Sequence, residues 1–383
     1  MANYLFLYLD SGGGHLSPAK NLKERLEAYS QEKGLSTTVH ILNGFSPKQI
    51  FSRGFYEDAY HFASTKMPAL YTAFFDITKV PLALHFCQEM CAFGAVSFLQ
   101  DYIQQHEITH VVSFHFALTT PVYRAIKKLK KNIPLDVVIT DPYTAHPAWF
   151  LIKDVRFFCF SQELKQKSLT QFSWLKDEQI HVVPFLVSSG FYPLSIEEKR
   201  QEKQKHNLGE DDKIIAIQGG GEGLHNVRKI VKNFIEHYDK QNPFTLLVFC
   251  GKNTEDFEYL QRLKEKKDAQ FIQVFPFVKN LYEYIRIADV IISKAGASSV
   301  MENTHCAIPA IYSFYIHGQE LGNIQFVRKE RIGFFIPDAK EIVIQAKKIL
   351  SDTHLQQKIK DNCLSLSLSK DVSSFLTLLT QVD

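Results

Sequence analysis

Val290-Ile291-Ile292-Ser293-Lys294-Ala295-Gly296-Ala297-Ser298-Ser299-Val300-Met301-Glu302 opens with an apolar run, passes through a turn of small residues and enters a helical pattern. The run predicts a buried strand over Val290 to Ser293, the pattern a helix over Ser299 to Cys306, and Pro309 to Ser313 the next strand. Parallel neighbours need a crossover of this kind, so the stretch reads as one turn of an α/β winding. The rhythm continues upstream. Strands are predicted over Lys213 to Gln218, Thr245 to Cys250 and Phe271 to Val274, with helices over Val227 to Tyr238, Glu255 to Lys266 and Leu281 to Ala288.

A second series precedes it. Tyr4 to Leu9 runs into Ser11-Gly12-Gly13-Gly14-His15 and a helix over Leu16 to Tyr29; further strands are predicted over Thr37 to Leu42, His110 to Ser113, Leu135 to Thr140, Arg156 to Phe160 and Gln179 to Val183, with a helix over Val122 to Lys130. Between the series lie the turn-rich Pro184 to Pro193 and a charged helix over Ile196 to His206. We place the boundary there. A chain of 383 residues suits two domains at roughly 100–200 residues each. The expectation is an α/β chain of two Rossmann-like, doubly wound parallel-sheet domains facing a central cleft: 1–190, 191–365, and a C-terminal helix over 366–383 that returns to the first domain. From Glu341 onward the pattern is helical.

Composition bounds the partners. Hydrophobic residues make up 45% and charged residues 22%, the mixture of a folded globular protein. A net charge of +3 from 44 basic and 41 acidic residues does not call for nucleic acid. Six cysteines without paired spacing suit a reducing compartment. The opening residues lack the basic start and long apolar core of a signal peptide, and no run reaches the roughly 18 apolar residues of a spanning helix. Residues 45–100 break the rhythm, with Phe45, Phe51, Phe55, Tyr56, Tyr60, Phe62, Tyr71, Phe74 and Phe75 interleaved with Lys48, Arg53, Lys66 and Lys79. That mixture suits a membrane surface or an inward-packed helical insertion, and both readings stand.

Three glycine turns follow predicted strands, where open parallel sheets bind ligands. In the first, Gly13 and Gly14 let a substrate approach the backbone, and His15 is a candidate general base because imidazole accepts a proton near neutral pH. The second, Gln218-Gly219-Gly220-Gly221-Glu222-Gly223, has amides suited to a pyrophosphate but neither P-loop nor dinucleotide spacing. The third is the opening stretch, continued by His317-Gly318-Gln319-Glu320-Leu321-Gly322-Asn323.

That strand, small-residue turn, Glu302-bearing helix and downstream Gly-Gln-Glu-x-x-Asn resemble the donor-site signature of GT-B glycosyltransferases. The first glycine turn, Thr140-Asp141-Pro142, His146-Pro147-Ala148-Trp149-Phe150, Phe249-Cys250-Gly251-Lys252-Asn253 and Phe277-Val278-Lys279-Asn280-Leu281 extend the resemblance over nearly the whole chain. They are similar to the group of monogalactosyldiacylglycerol synthases, processive diacylglycerol glucosyltransferases and the peptidoglycan GlcNAc transferase. The resemblance implies that Phe277 and Val278 lie along the nucleotide base and Glu302 takes the ribose hydroxyls. It further implies that Gly219, Gly220 and Ser299 hold phosphates, while Gln319 and Glu320 face the donor sugar, with Gly221, Lys252, Asn253, Ser298 and Asn323 also on the donor side. His15 would deprotonate the acceptor, with Asp141 as second choice; Gly13, Gly14, His146 and Trp149 would stand on the acceptor side. The chain departs from the family pattern at Ala295, where proline is usual, and at Asn303-Thr304-His305-Cys306, which puts the donor sugar in question.

The activity implied by the resemblance is that of a UDP-sugar-dependent hexosyltransferase of glycolipid biosynthesis, carrying glucose or galactose to a diacylglycerol-type lipid. With no Asp-x-Asp and no ligand cluster, no metal and no cofactor beyond the UDP-sugar are expected. Position 310, eight after Glu302, is alanine rather than the second glutamate of retaining relatives, so inversion is expected. The enzyme would sit in the cytoplasm, peripheral on the inner face of the cell membrane against anionic lipid. Rival readings are GlcNAc transfer to a polyprenyl-linked cell-wall precursor, a UDP-sugar epimerase, and a non-catalytic nucleotide-sugar sensor.

Overall fold

The computed structural model describes residues 2–10, 13–54 and 67–381. Ser11, Gly12 and the aromatics Phe55, Tyr56, Tyr60 and Phe62 with Lys66 lie outside them. The chain divides into two compact units, the first made of 1–186, 316–322 and 369–383, the second of 187–315 and 323–368. Neither is a continuous piece of sequence. The segment 316–322 that follows the third glycine turn belongs to the first unit.

In the first unit six strands, β1 (Ala2–Tyr8), β2 (Thr37–Asn43), β3 (His110–Ser113), β4 (Leu135–Val138), β5 (Arg156–Cys159) and β6 (Ile180–Val182), form one sheet in the order β2-β1-β3-β4-β5-β6. Every pairing is parallel. Leu5, Phe6 and Leu7 are wholly buried in succession, as a strand covered on both faces must be, which is why such strands read as continuous apolar runs. One face packs Leu5, Leu7, Val111, Val137 and Phe157 with Leu99, Ile103, Val122 and Trp149. The other is closed by the chain's end: the Tyr4 hydroxyl donates to Leu379 O at 3.1 Å, and the Phe375 ring lies 4.6 Å from that of Phe158.

The second unit repeats the plan with β7 (Ile214–Gln218), β8 (Thr245–Phe249), β9 (Ile272–Phe275), β10 (Val290–Lys294), β11 (Ala310–Phe314) and β12 (Gly333–Phe335). The order is β12-β11-β10-β7-β8-β9, again all parallel. Periodicity does not announce β12, because three residues are too few to show a pattern. Each sheet reverses its winding at one place, between β1 and β3 in the first and between β7 and β10 in the second. The crevices outside those strand ends are where such sheets take ligands.

One expectation is corrected. Helix Pro81–Gln105 has 25 residues and an 18-residue window of mean hydropathy 1.4, long and apolar enough by composition to span a bilayer. Single polar residues such as His85 and Glu89 interrupt its apolar runs, so counting uninterrupted runs overlooks it. The helix also breaks at Phe93 and Gly94, the latter at φ +76°. Neither piece reaches the roughly 20 residues a span needs, and the second buries Ala95, Leu99 and Ile103 in the core.

Candidate functional site

At the winding reversal of the first sheet, His15 stands in the first turn of helix Gly13–Glu32. Its Nδ1 lies 2.8 Å from Phe114 O, at the end of β3, and 2.9 Å from Thr140 Oγ1. A carbonyl can only accept, so Nδ1 carries the proton and the lone pair sits on Nε2, which has no hydrogen-bond partner among the described residues. Burial lowers its pKa to about 4, against the opposing pull of that carbonyl. His15 is therefore neutral at ordinary pH and held in one orientation. A Cβ on Gly13 or Gly14 would meet nothing within 4 Å, so these glycines leave open backbone rather than relieve a clash.

Asp141 follows β4. Trp149 Nε1 donates to its Oδ2 at 3.1 Å and Gln319 Nε2 to its Oδ1 at 3.2 Å. Burial outweighs both donors and, with the nearby Glu320 carboxylate, raises its pKa to about 7. Trp149 is fully buried, so of its two readings, core or acceptor wall, the geometry places it in the core. His146 caps the turn Pro147–Phe150 by accepting from Ala148 N, and its Nε2 lies 3.3 Å from both Phe75 O and Thr78 Oγ1. Burial lowers its pKa to about 4. It thereby ties the segment around Phe75 to the sheet.

Gln319 and Glu320, read as donor-side residues, fall in the first unit. The main chain of Gln319 accepts from Thr144 Oγ1 at 2.8 Å, and Glu320 closes its own loop by accepting from Ile316 N at 2.7 Å. Gly318 has to be glycine: its φ is +80° and a Cβ would fall 2.5 Å from the Phe75 ring. The loop is thus shaped to bring Gln319 to Asp141.

The second unit supplies a different chemistry. At its winding reversal Gln218 Nε2 donates to Ser293 Oγ at 3.3 Å, linking β7 to β10. Helix Ala297–His305 begins there on Gly296, which offers no side-chain cap. Its first intrahelical bond comes from Val300 N, so the amides of Ala297, Ser298 and Ser299 have no partner among the described residues. The Ser298 hydroxyl is buried and equally unpartnered. A bare helix N-terminus of this kind suits a phosphate. Further along the same helix stands Glu302, partly buried, whose carboxylate has no hydrogen bond among the described residues and whose pKa burial raises to about 7.

The glycine turn after β7 is built tightly. A Cβ on Gly219 would lie 2.1 Å from Gly223 C, and Lys252 N donates to Gly221 O at 2.7 Å, whereas Gly220 and Gly221 face open space. Phe277 is exposed and Val278 half-buried. Two of the residues named for the donor side have structural work. Asn253 caps helix Thr254–Lys266, its Oδ1 accepting from Asp256 N at 2.9 Å, and buried Asn323 donates to Ala295 O at 2.9 Å, bracing the third turn. Among the described residues one group, Glu202, His206 and Glu283, has metal-ligand chemistry within 4.8 Å, unannounced by sequence spacing. Glu202 already pairs with Arg286 at 3.2 Å and Lys205 at 2.8 Å, so its charge is met by cations of the chain itself.

Sequence reading also missed a basic cluster. Lys127, Lys128, Lys130 and Lys131, at the end of helix Phe116–Leu129, carry no ion pair among the described residues. The run Lys-Lys-Leu-Lys-Lys is the signal that would have found it. Arg124 of the same helix makes a two-pronged bond to Glu89, at 2.7 Å and 2.5 Å, which fixes it against helix Pro81–Gln105.

Known structures and families agree with this arrangement. MurG of Acinetobacter baumannii superposes with a TM-score of 0.63 at 15% identity over 100% of both chains. HepE of Anabaena in complex with UDP-glucose does so at 0.57 and 11% identity over 99% of this chain and 98% of the other. These define the class, a GT-B fold. A family model for monogalactosyldiacylglycerol (MGDG) synthase matches residues 15–183, and one for the glycosyltransferase family 28 C-terminal domain matches 214–363. Monogalactosyldiacylglycerol synthase 2, chloroplastic, of Arabidopsis thaliana is 27% identical over 374 residues, 95% of this chain and 77% of that protein. The chain is a GT-B glycosyltransferase whose sequence is similar to the monogalactosyldiacylglycerol synthases over most of its length. It is a UDP-sugar-dependent hexosyltransferase.

Proposed function

We propose that the enzyme moves glucose or galactose from its UDP-sugar to the free hydroxyl of a diacylglycerol-type lipid at a membrane surface, with inversion at the anomeric carbon. The observation that carries the lipid acceptor is an apolar stripe, solvent-facing among the described residues, in the unit that holds His15 and Asp141. Leu70, Phe74 and Ile77 recur at helical spacing along one exposed face of helix Pro68–Ile77. In the following helix, Pro81–Gln105, Leu82 (80% exposed), Phe86 (64%) and Phe93 (85%) also face solvent. Soluble helices turn such stripes inward; one left facing solvent marks a partner or a membrane. Phe45 and Tyr71 of the same segment are buried, so it contributes both to the core and to the stripe.

The chemistry divides between the two units. The bare amides of Ala297 to Ser299 and the dipole of their helix receive the diphosphate, with the Lys252 ammonium as a further cation. Glu302 accepts the ribose hydroxyls, and Phe277 and Val278 flank the base. As the acceptor oxygen bonds to the anomeric carbon, the bond to UDP breaks and its electron pair leaves with the diphosphate. The hydroxyl proton passes to His15 Nε2, or to Asp141, whose pKa near 7 suits proton transfer at neutral pH. Alignment and charge stabilisation supply the rate, and the reading assigns no metal or further cofactor. The stripe, with the lysines from Lys127 to Lys131, would hold the enzyme peripherally on an anionic bilayer.

A donor-by-acceptor screen tests this. UDP-glucose, UDP-galactose and UDP-GlcNAc are each offered with diacylglycerol vesicles, with a polyprenyl-linked cell-wall precursor, or alone, and products are identified by mass and anomeric configuration. A β-hexosyl diacylglycerol is expected. GlcNAc on the polyprenyl precursor, conversion of a UDP-sugar without acceptor, or an α-linked product would replace the proposal.

A further inference from the structure

We infer that the second unit carries a separate site for an amphiphilic anion, a phosphate or carboxylate joined to an apolar body, in a cavity at the β12 edge of its sheet. The cavity measures about 390 Å³, within the range of small-molecule pockets. Phe334, Phe335 and Ile336 give it an apolar wall, and Arg328, Arg331 and Lys358 converge on it from two helices. None of these three cations is in an ion pair among the described residues, and no acidic side chain lines the cavity. Gathering like charges without a counter-charge is unfavourable in the free protein and becomes favourable when an anion enters.

The ordinary explanation of basic residues at a helix end is the helix dipole. It accounts for Arg328, in the last turn of helix Leu321–Glu330, and for Arg331 just beyond it. It does not account for Lys358, which comes from the middle of helix Thr353–Ser365. The guanidinium of Arg328 lies 5.5 Å from the Phe335 ring centroid, so charge and apolar wall adjoin. Asn362 donates to Arg331 O at 3.0 Å and holds the chain at the mouth in place. The site stands at the edge strand, two strands from β10, and does not depend on the transfer chemistry proposed above.

The test is calorimetric titration of the intact enzyme in excess UDP, so that the donor turn is filled. The probes are a single-chain acyl phosphate below its micelle concentration, a soluble aryl phosphate, inorganic phosphate and an uncharged monoacylglycerol. One or both phosphate amphiphiles should bind saturably, one per chain and at least tenfold tighter than inorganic phosphate; which of them binds tells a lipid source from a soluble one. The double variant Arg328→Gln, Lys358→Gln should weaken that binding at least tenfold at an unchanged Tm. Arg331→Asn is the second variant, since asparagine tolerates the left-handed φ of +55° found there. Equal binding of the uncharged monoacylglycerol, equal affinity in folded variants, or no saturable binding of either amphiphile overturns the inference.

Discussion

Gln319 Nε2 donates to Asp141 Oδ1 at 3.2 Å, joining residues 178 positions apart in sequence. With the Trp149 indole on the other oxygen, each carboxylate oxygen has one neutral donor. Two such bonds favour the charged form, but burial and Glu320 oppose them, and the balance rests near pH 7.

Only the charged form of Asp141 can accept a proton, so a rate that depends on it should rise as pH climbs through about 7 and level off above. Gln319→Ala removes a donor to the carboxylate. Asp141 should then hold its proton to higher pH, moving the rising limb of kcat/KM alkaline by about one unit. Glycolipid formation measured across the range from acid to alkaline checks this; a limb that stays in place would separate Asp141 from the proton transfer.

His15→Ala should lower kcat by about 10²–10⁴ while leaving UDP-sugar affinity nearly intact, since His15 lies in the other unit from the bare helix terminus. Its pKa near 4 means that a rate governed by His15 alone is flat across neutral pH. The shape of the wild-type profile therefore chooses between the two bases. Full turnover in the variant would remove His15 from the mechanism.

Glu302 must be charged to accept both ribose hydroxyls, and burial holds about half of it protonated near pH 7. An intact UDP-sugar has no group of its own titrating there. Its affinity should tighten several-fold as pH rises through neutrality, and Glu302→Gln should bind more weakly with no such dependence. Calorimetry below, at and above neutral pH decides; parallel curves for both proteins would place the ribose elsewhere.

Leu82→Ser with Phe86→Ser exposes no core, because both side chains already face solvent. Each apolar side chain that enters a bilayer is worth up to about 1.5–3 kcal/mol, so the pair should cut vesicle binding at least tenfold at constant Tm. Replacing Lys127, Lys128, Lys130 and Lys131 with glutamine should weaken binding to anionic vesicles while sparing neutral ones. Flotation with both lipid compositions reads the two effects apart, and retained binding in both variants would rule out this face.

Much of the architecture is legible in the order of residue types alone. Strands such as β1, β3 and β10 are buried on both faces, so nearly every residue must be apolar and the run is visible. The glycine turns show for a related reason: at Gly220 and Gly223 the backbone has positive φ, at +76° and +75°, which leaves glycine as the residue of choice. Position within a helix is less legible. Tyr71 and Phe74 are three residues apart, yet one is buried and the other exposed, and the break at Gly94 resets the phase so that Phe93 points outward.

By itself the sequence determined the α/β winding, its two-part plan and the glycine turns after the strands, because these rest on local periodicity and on backbone conformations that few residues tolerate. Tertiary structure alone decided that Gln319 serves Asp141, that Phe114 O sets the tautomer of His15, that Trp149 is core and that Asn253 and Asn323 brace the turns around them. Hydrogen-bond partners and the burial that shifts a pKa are properties of packing between distant segments, and no local pattern encodes them.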